Sequence, residues 1–232
     1  MSDRAPFAGF PREAPSFLAD LAANNARDWF ERNRERYAAH VLAPAKQFVA
    51  ALGARIAGFA PAIHAEPRVN GSILRLNRDT RFSKDKSPYK DWLGLWFWEG
   101  EGPSRDCPGF YFKMEASALT LGAGKHMFGP DELESYRRAA ADPTTGKALR
   151  AVLDAALAGG SDELGGRHYK RVPRGYDPDS PNAGLLLHNG LYVGRSGPLP
   201  HELFGPGAVE FCATAYEGYL PLHRWLVANL KS

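Results

Sequence analysis

A chain of 232 residues, 44% hydrophobic and 24% charged, is long enough to bury one substantial core, and this composition argues against both disorder and a coiled coil. Its net charge of +3 is too small to imply by itself a nucleic-acid or membrane partner. Its two cysteines, Cys107 and Cys212, lack CxxC or CxxH spacing, which argues against a disulfide framework or zinc site and for a reducing compartment. The opening residues lack the apolar stretch of a secretory signal, and no run approaches the roughly 18 apolar residues of a membrane helix. A cytoplasmic protein with no membrane partner is expected.

Residues 1–12 read as an extended arm, with Phe7 and Phe10 placed to pin it to the body. Pro15 opens a first helix carrying Phe17, Leu18 and Leu21 at helical spacing, and Asn24-Asn25 ends it. A second helix begins near Arg27-Asp28, with Trp29, Phe30, Asn33 and Tyr37 on one side. Pro44 is expected to end or kink it, after which Phe48, Val49, Leu52 and Ile56 resume the pattern as far as Gly58 and Pro61. From Gly71 the period changes to two. Leu74 and Leu76 take one face, Arg75, Asn77, Asp79 and Arg81 the other, and Arg78 shares the face of Leu76, Thr80 and Phe82.

Ser83–Pro88 reads as a loop, and Asp91–Trp98, apolar on both faces, as a central strand. Gly109–Glu115 and Ala118–Ala123 pair as antiparallel strands. Helices follow from Pro130-Asp131-Glu132 and from Asp142-Pro143, the latter stopping at Gly159-Gly160. Residues 161–205 are turn-rich, with short strands expected near Arg167–Val172 and Leu185–Val193. An amphipathic segment, Ala208–Leu230, closes the chain, with Pro221 expected to bend or split it. The fold class is α+β in a single domain over residues 1–232: N-terminal helices, a central mainly antiparallel sheet, then further helices.

The strongest chemical signal is the stretch from Arg75 to Lys90, which holds six cations and two carboxylates in sixteen residues. On a strand over 73–81, Arg75 and Arg81 stand about 20 Å apart with Asn77 and Asp79 between them. The planar fork of arginine binds phosphate or carboxylate through two hydrogen bonds and stays charged. The loop adds Lys84, Lys86 and Tyr89, with Pro88 restricting its shape. The ligand contacts expected are therefore Arg75, Arg78, Arg81, Lys84, Lys86 and Tyr89. Asp79 and Tyr89 are the candidates for proton transfer, and whether the chain is an enzyme stays open.

Two other readings compete. Asp79 and Asp85 can pair with neighbouring cations as a structural ion-pair clamp. Alternatively the same patch serves a nucleic-acid or protein adaptor, with Trp92, Trp96 and Trp98 offering a stacking face unless they belong to the core. Gly122-Ala-Gly124-Lys125-His126 lacks the spacing and hydroxyl of a phosphate loop. Seven histidines include no HxH or HExxH pair, although His126 with His168 or His188 could meet in the fold. No metal and no cofactor is expected.

The segment Arg75-x-x-Arg78-Asp79-x-Arg81-Phe82-x-x-x-Lys86-x-x-Tyr89 resembles the signature of a mainly bacterial family, domain of unknown function 2461. The resemblance extends to Gly9-Phe10-Pro11, to Asn24-Asn25 followed by Trp29-Phe30, and to Gly109-Phe110-Tyr111. It includes a basic turn at Lys170-Arg171-Val-Pro173-Arg-Gly175-Tyr176-Asp177. It implies relatives of about this length and names no activity. The leading expectation is a binding site for an anionic, phosphate-bearing small molecule at Arg75–Lys90, with or without catalysis, ahead of a nucleic-acid partner.

Overall fold

A computed structural model describes residues 6–81 and 83–230, so Phe82 and residues 1–5 of the expected arm lie outside it. The elements run as helices, then strands, then helices mixed with two further strands, the α+β order expected from the sequence. Helix α1 (Glu13–Ala23) starts two residues ahead of Pro15, which sits in the first turn where a missing N–H leaves no bond unmade. Ala14, Phe17, Leu18 and Leu21, spaced i, i+3, i+4 and i+7, are its buried stripe.

The second helical stretch comprises α2 (Arg27–Arg32), α3 (Arg34–Tyr37), a π-helical turn at Ala38–Leu42 and α4 (Ala43–Ala57). Pro44 therefore does not end the helix. The wider π turn just before it absorbs the bond that Pro44 cannot make, and Pro44 falls in the first turn of α4.

Strands β1 (Leu93–Trp98), β2 (Gly109–Met114), β3 (Ala118–Lys125), β4 (Glu163–Arg167) and β5 (His188–Pro198) form an antiparallel sheet in the order β1-β2-β3-β5-β4. The run expected to be a central strand is the end strand β1. Its outer edge is nonetheless sheltered: the Leu74 N–H donates to the Gly94 carbonyl at 2.9 Å, and the Trp96 N–H to the Ser72 carbonyl at 2.9 Å. β4 lies four residues ahead of the strand expected at Arg167–Val172, and Leu185–Leu187 form a 3-10 turn ahead of β5.

α5 (Pro130–Ala141) and α6 (Thr145–Leu157) start where expected. α7 (Ala208–Asn229) continues through Pro221 without splitting. Pro221 itself is exposed, so its ring displaces no core packing.

Contacts divide the chain into two compact units. The first comprises Met1–Phe97, Tyr111–Leu121 and Ser196–Ala215. Its core is aromatic: Phe48 of α4 meets Phe7 at 5.1 Å, Phe10 at 5.0 Å and Phe112 at 5.3 Å, so the N-terminal arm is pinned as expected. The second comprises Trp98–Phe110, Gly122–Arg195 and Tyr216–Ser232. There Phe110 packs against Tyr216 at 5.0 Å, and Tyr136 against Phe128 at 4.7 Å and Trp225 at 6.1 Å.

Candidate functional site

The charged stretch folds as an irregular hairpin in the first unit. Asn77 bridges Tyr89, the Arg78 N–H donates to the Pro88 carbonyl at 2.9 Å, and the Lys90 N–H to the Leu76 carbonyl at 2.8 Å. The regular strand expected over 73–81 does not form. Pro88 stands opposite Arg78 and has no N–H to return, so the ladder reduces to isolated bridges. The alternation survives all the same: Leu76 is buried while Arg75, Asn77, Asp79 and Arg81 are exposed. Arg78 is half-buried and reaches Asp85.

At the hairpin tip the carboxylates are occupied locally. Asp79 accepts from Arg81 Nη2 at 2.6 Å, Arg81 Nε at 3.0 Å and the Arg81 backbone N–H at 3.2 Å. These bonds, the Arg81 side chain first, hold the Asp79 carboxyl at about 2. Asp85 accepts from the Ser87 hydroxyl at 2.6 Å, from the Ser87 backbone N–H at 2.9 Å and from Arg78, and its carboxyl also lies well below the usual range. Lys86 Nζ donates to the Thr80 carbonyl and Lys90 Nζ to the Arg75 carbonyl, each at 2.8 Å. The Arg81 side chain is 77% exposed and that of Asp85 56%, so these pairs shape the tip in water-accessible surroundings.

The hairpin is anchored by uncharged groups. The Asn25 amide donates to the Tyr89 carbonyl at 2.9 Å and accepts from the Tyr89 N–H at 3.1 Å, closing a two-bond bracket. The Tyr89 ring lies 4.4 Å from Phe30 of α2 and is buried. Beside this bracket lies a cleft of about 410 Å³ lined by Asn25, Ala26 and Arg27 on one side. Asn77, Arg78, Thr80, Lys86 and Pro88 line the other.

Arg78 and Lys86 alone among the sequence-predicted contacts line this cleft, and Arg75, Arg81, Lys84 and Tyr89 do not. Arg75 and Lys84 are exposed, Arg81 is folded onto Asp79, and Tyr89 points into the core. Asn25, Arg27 and Thr80 were missed by charge density, since two of them stand some fifty residues upstream. The Asn24-Asn25 pair of the family resemblance was the signal that could have found that wall. The cleft lining includes three cations, Arg27, Arg78 and Lys86, and no carboxylate.

Elsewhere, Trp92 has Lys90 Nζ 4.8 Å and Lys113 Nζ 5.6 Å from its ring, and Trp98 is buried. Lys125, from the glycine-rich stretch that failed the phosphate-loop test, is 2% exposed and bonded to Glu132. His126 packs on Tyr192 at 5.6 Å, His168 on Tyr169 at 4.9 Å, and His188 Nδ1 lies 3.2 Å from the Gly165 carbonyl. Among the described residues no group of three or more His, Cys, Asp or Glu could hold a metal ion. No helix among them is long and apolar enough to cross a membrane.

The model of a family described as conserved hypothetical protein (DUF2461) matches residues 13–225. No curated protein matches the chain.

Proposed function

The chain belongs to the DUF2461 family, and from that premise we propose that it binds a small phosphate-bearing anion in the cleft beside the hairpin. The observation that carries this reading is the convergence of Arg27, Arg78 and Lys86 on one 410 Å³ cleft with no lining carboxylate. That volume suits a small molecule. The Arg27 side chain has no hydrogen-bonding or ion-pair partner among the described residues, so its fork is available to a phosphate. Lys86 supplies a point charge and the exposed Asn77 amide a further donor.

The clamp reading has less support, because the Asp79–Arg81 pair is exposed and Arg78 is only half-buried, so removing one partner strands no fully buried charge. The adaptor reading has less as well, since Trp98 is buried and Trp96 packs 6.3 Å from Tyr111, so the three tryptophans do not share one open stacking face. A carboxylate held at about 2, as Asp79 is, makes a poor base near neutral pH, and Tyr89 is packed away from the cleft.

A thermal-shift panel of inorganic phosphate, nucleotides and sugar phosphates tests the reading. A ligand at a hundred times its Kd stabilises by about 2.7 kcal/mol. The response should fall by about half or more in Arg27→Ala and Lys86→Ala and persist in full in Arg81→Ala. Silence across the whole panel on the unmodified protein would sink the proposal.

A further inference from the structure

The second unit carries a different basic surface. From Leu164 to Tyr176 the sequence holds Arg167, Lys170, Arg171 and Arg174 and no Asp or Glu. All four cations are exposed, and none has an ion-pair partner among the described residues. The strip starts at the end of β4, where Gly166, at φ +92°, accompanies a shift in the pairing of β4 with β5. It is tied down just beyond, where the His168 and Tyr169 N–H groups both donate to the Leu187 carbonyl at 2.9 Å. From Arg167 to Arg174 it spans no more than about 25 Å.

One flat group sits within the strip. The Arg137 guanidinium of α5 lies 4.7 Å over the half-buried Tyr169 ring, and His168 meets that ring edge-on at 4.9 Å. Arg137 Nε is buried without a hydrogen-bond partner, so this guanidinium is held by stacking and its charge is not cancelled by a carboxylate.

We infer that this strip is a binding surface for single-stranded nucleic acid, with its cations on successive phosphates and the Tyr169–Arg137 stack against an unpaired base. A run of one sign of charge suits a polymer of phosphates better than a lone anion. A partly exposed aromatic and guanidinium platform suits a splayed base, which a duplex keeps hidden. Between Arg167 and Arg174 the strip holds no Trp, Phe, Leu, Ile or Met to insert into a lipid surface.

The experiment is fluorescence anisotropy with labelled single-stranded RNA and DNA 20-mers across a NaCl series, using the full chain. Four phosphate contacts on a single strand predict a log–log salt slope of about −2.8. A combined Lys170→Ala, Arg171→Ala, Arg174→Ala variant should keep its circular dichroism and lose most of that slope. Tyr169→Leu should weaken binding about tenfold, whereas Tyr169→Phe should not. Lys86→Ala, in the cleft of the other unit, should bind the oligonucleotide as the unmodified chain does, which separates this inference from the phosphate cleft. The inference is overturned by absence of binding at low salt, by an unchanged triple variant, or by loss of binding in Lys86→Ala. Capture by phosphatidylserine vesicles with no affinity for either oligonucleotide overturns it too.

Discussion

The hairpin tip and the Lys125–Glu132 pair use charge in opposite ways. The hairpin gathers six cations and two carboxylates, yet the partners in its ion pairs are exposed apart from Arg78, whose side chain is 29% exposed. Lys125 and Glu132 are a single pair whose side chains are 2% and 10% exposed. The Lys125 ammonium donates to Glu132 and to the Asp106 carbonyl, while the second Glu132 oxygen accepts the Gly129 N–H at 2.8 Å. That oxygen caps the first turn of α5. Charge density thus marks where a partner can reach the chain, and burial marks where charge holds the chain together.

The largest effect should come from breaking the buried pair. Lys125→Met leaves a buried carboxylate without its cation and should lower stability by about 3–5 kcal/mol in urea unfolding. A loss no greater than that of the hairpin variants would invert the comparison. Asn25→Ala opens the bracket around Tyr89 and should cost about 1–3 kcal/mol, because a half-buried N–H and carbonyl lose their partners. The same variant should weaken anion binding in the cleft by freeing the wall that Asn25 holds.

Next comes a pH effect in the second unit. His223 is fully buried, and burial pushes its imidazole below the ordinary 6.5, against the opposing pull of Glu99 at 2.8 Å. His188 is shifted the same way by burial. With the folded value depressed, the unfolded chain binds more protons just below pH 6.5. Stability is therefore complete above that pH and falls as pH drops through it. Urea midpoints between pH 8 and 5 should show this decline, and His223→Gln should flatten it. The smallest effect is expected at the tip. Arg81→Ala should leave the urea midpoint unmoved at pH 7, since Asp79 remains ionised and solvated without its partner.

Much of the fold was legible because periodicity and punctuation agree with packing. Phe17, Leu18 and Leu21 gave α1, and the carboxylates after Pro130 gave α5. The errors share a cause, which is a partner far away in sequence. β4 contains Gly165-Gly166, poor strand formers, and pairs because Tyr192 of β5 lies across Gly165, where a Cβ would meet its ring at 2.1 Å. β1 looked central because residues 72–74 shelter its edge. The hairpin was visible as charge, but its cleft needs Asn25 and Arg27, and no local pattern brings residue 25 to residue 89.

The most direct measurement is calorimetric titration of the anion that gives the largest thermal shift into Arg27→Ala and Arg81→Ala in parallel. The account predicts that Arg27→Ala loses affinity about 10–100-fold, the worth of one charge-assisted contact, while Arg81→Ala binds as the unmodified chain does. Equal affinity in Arg27→Ala, or a loss confined to Arg81→Ala, would contradict it and move the anion out of the cleft.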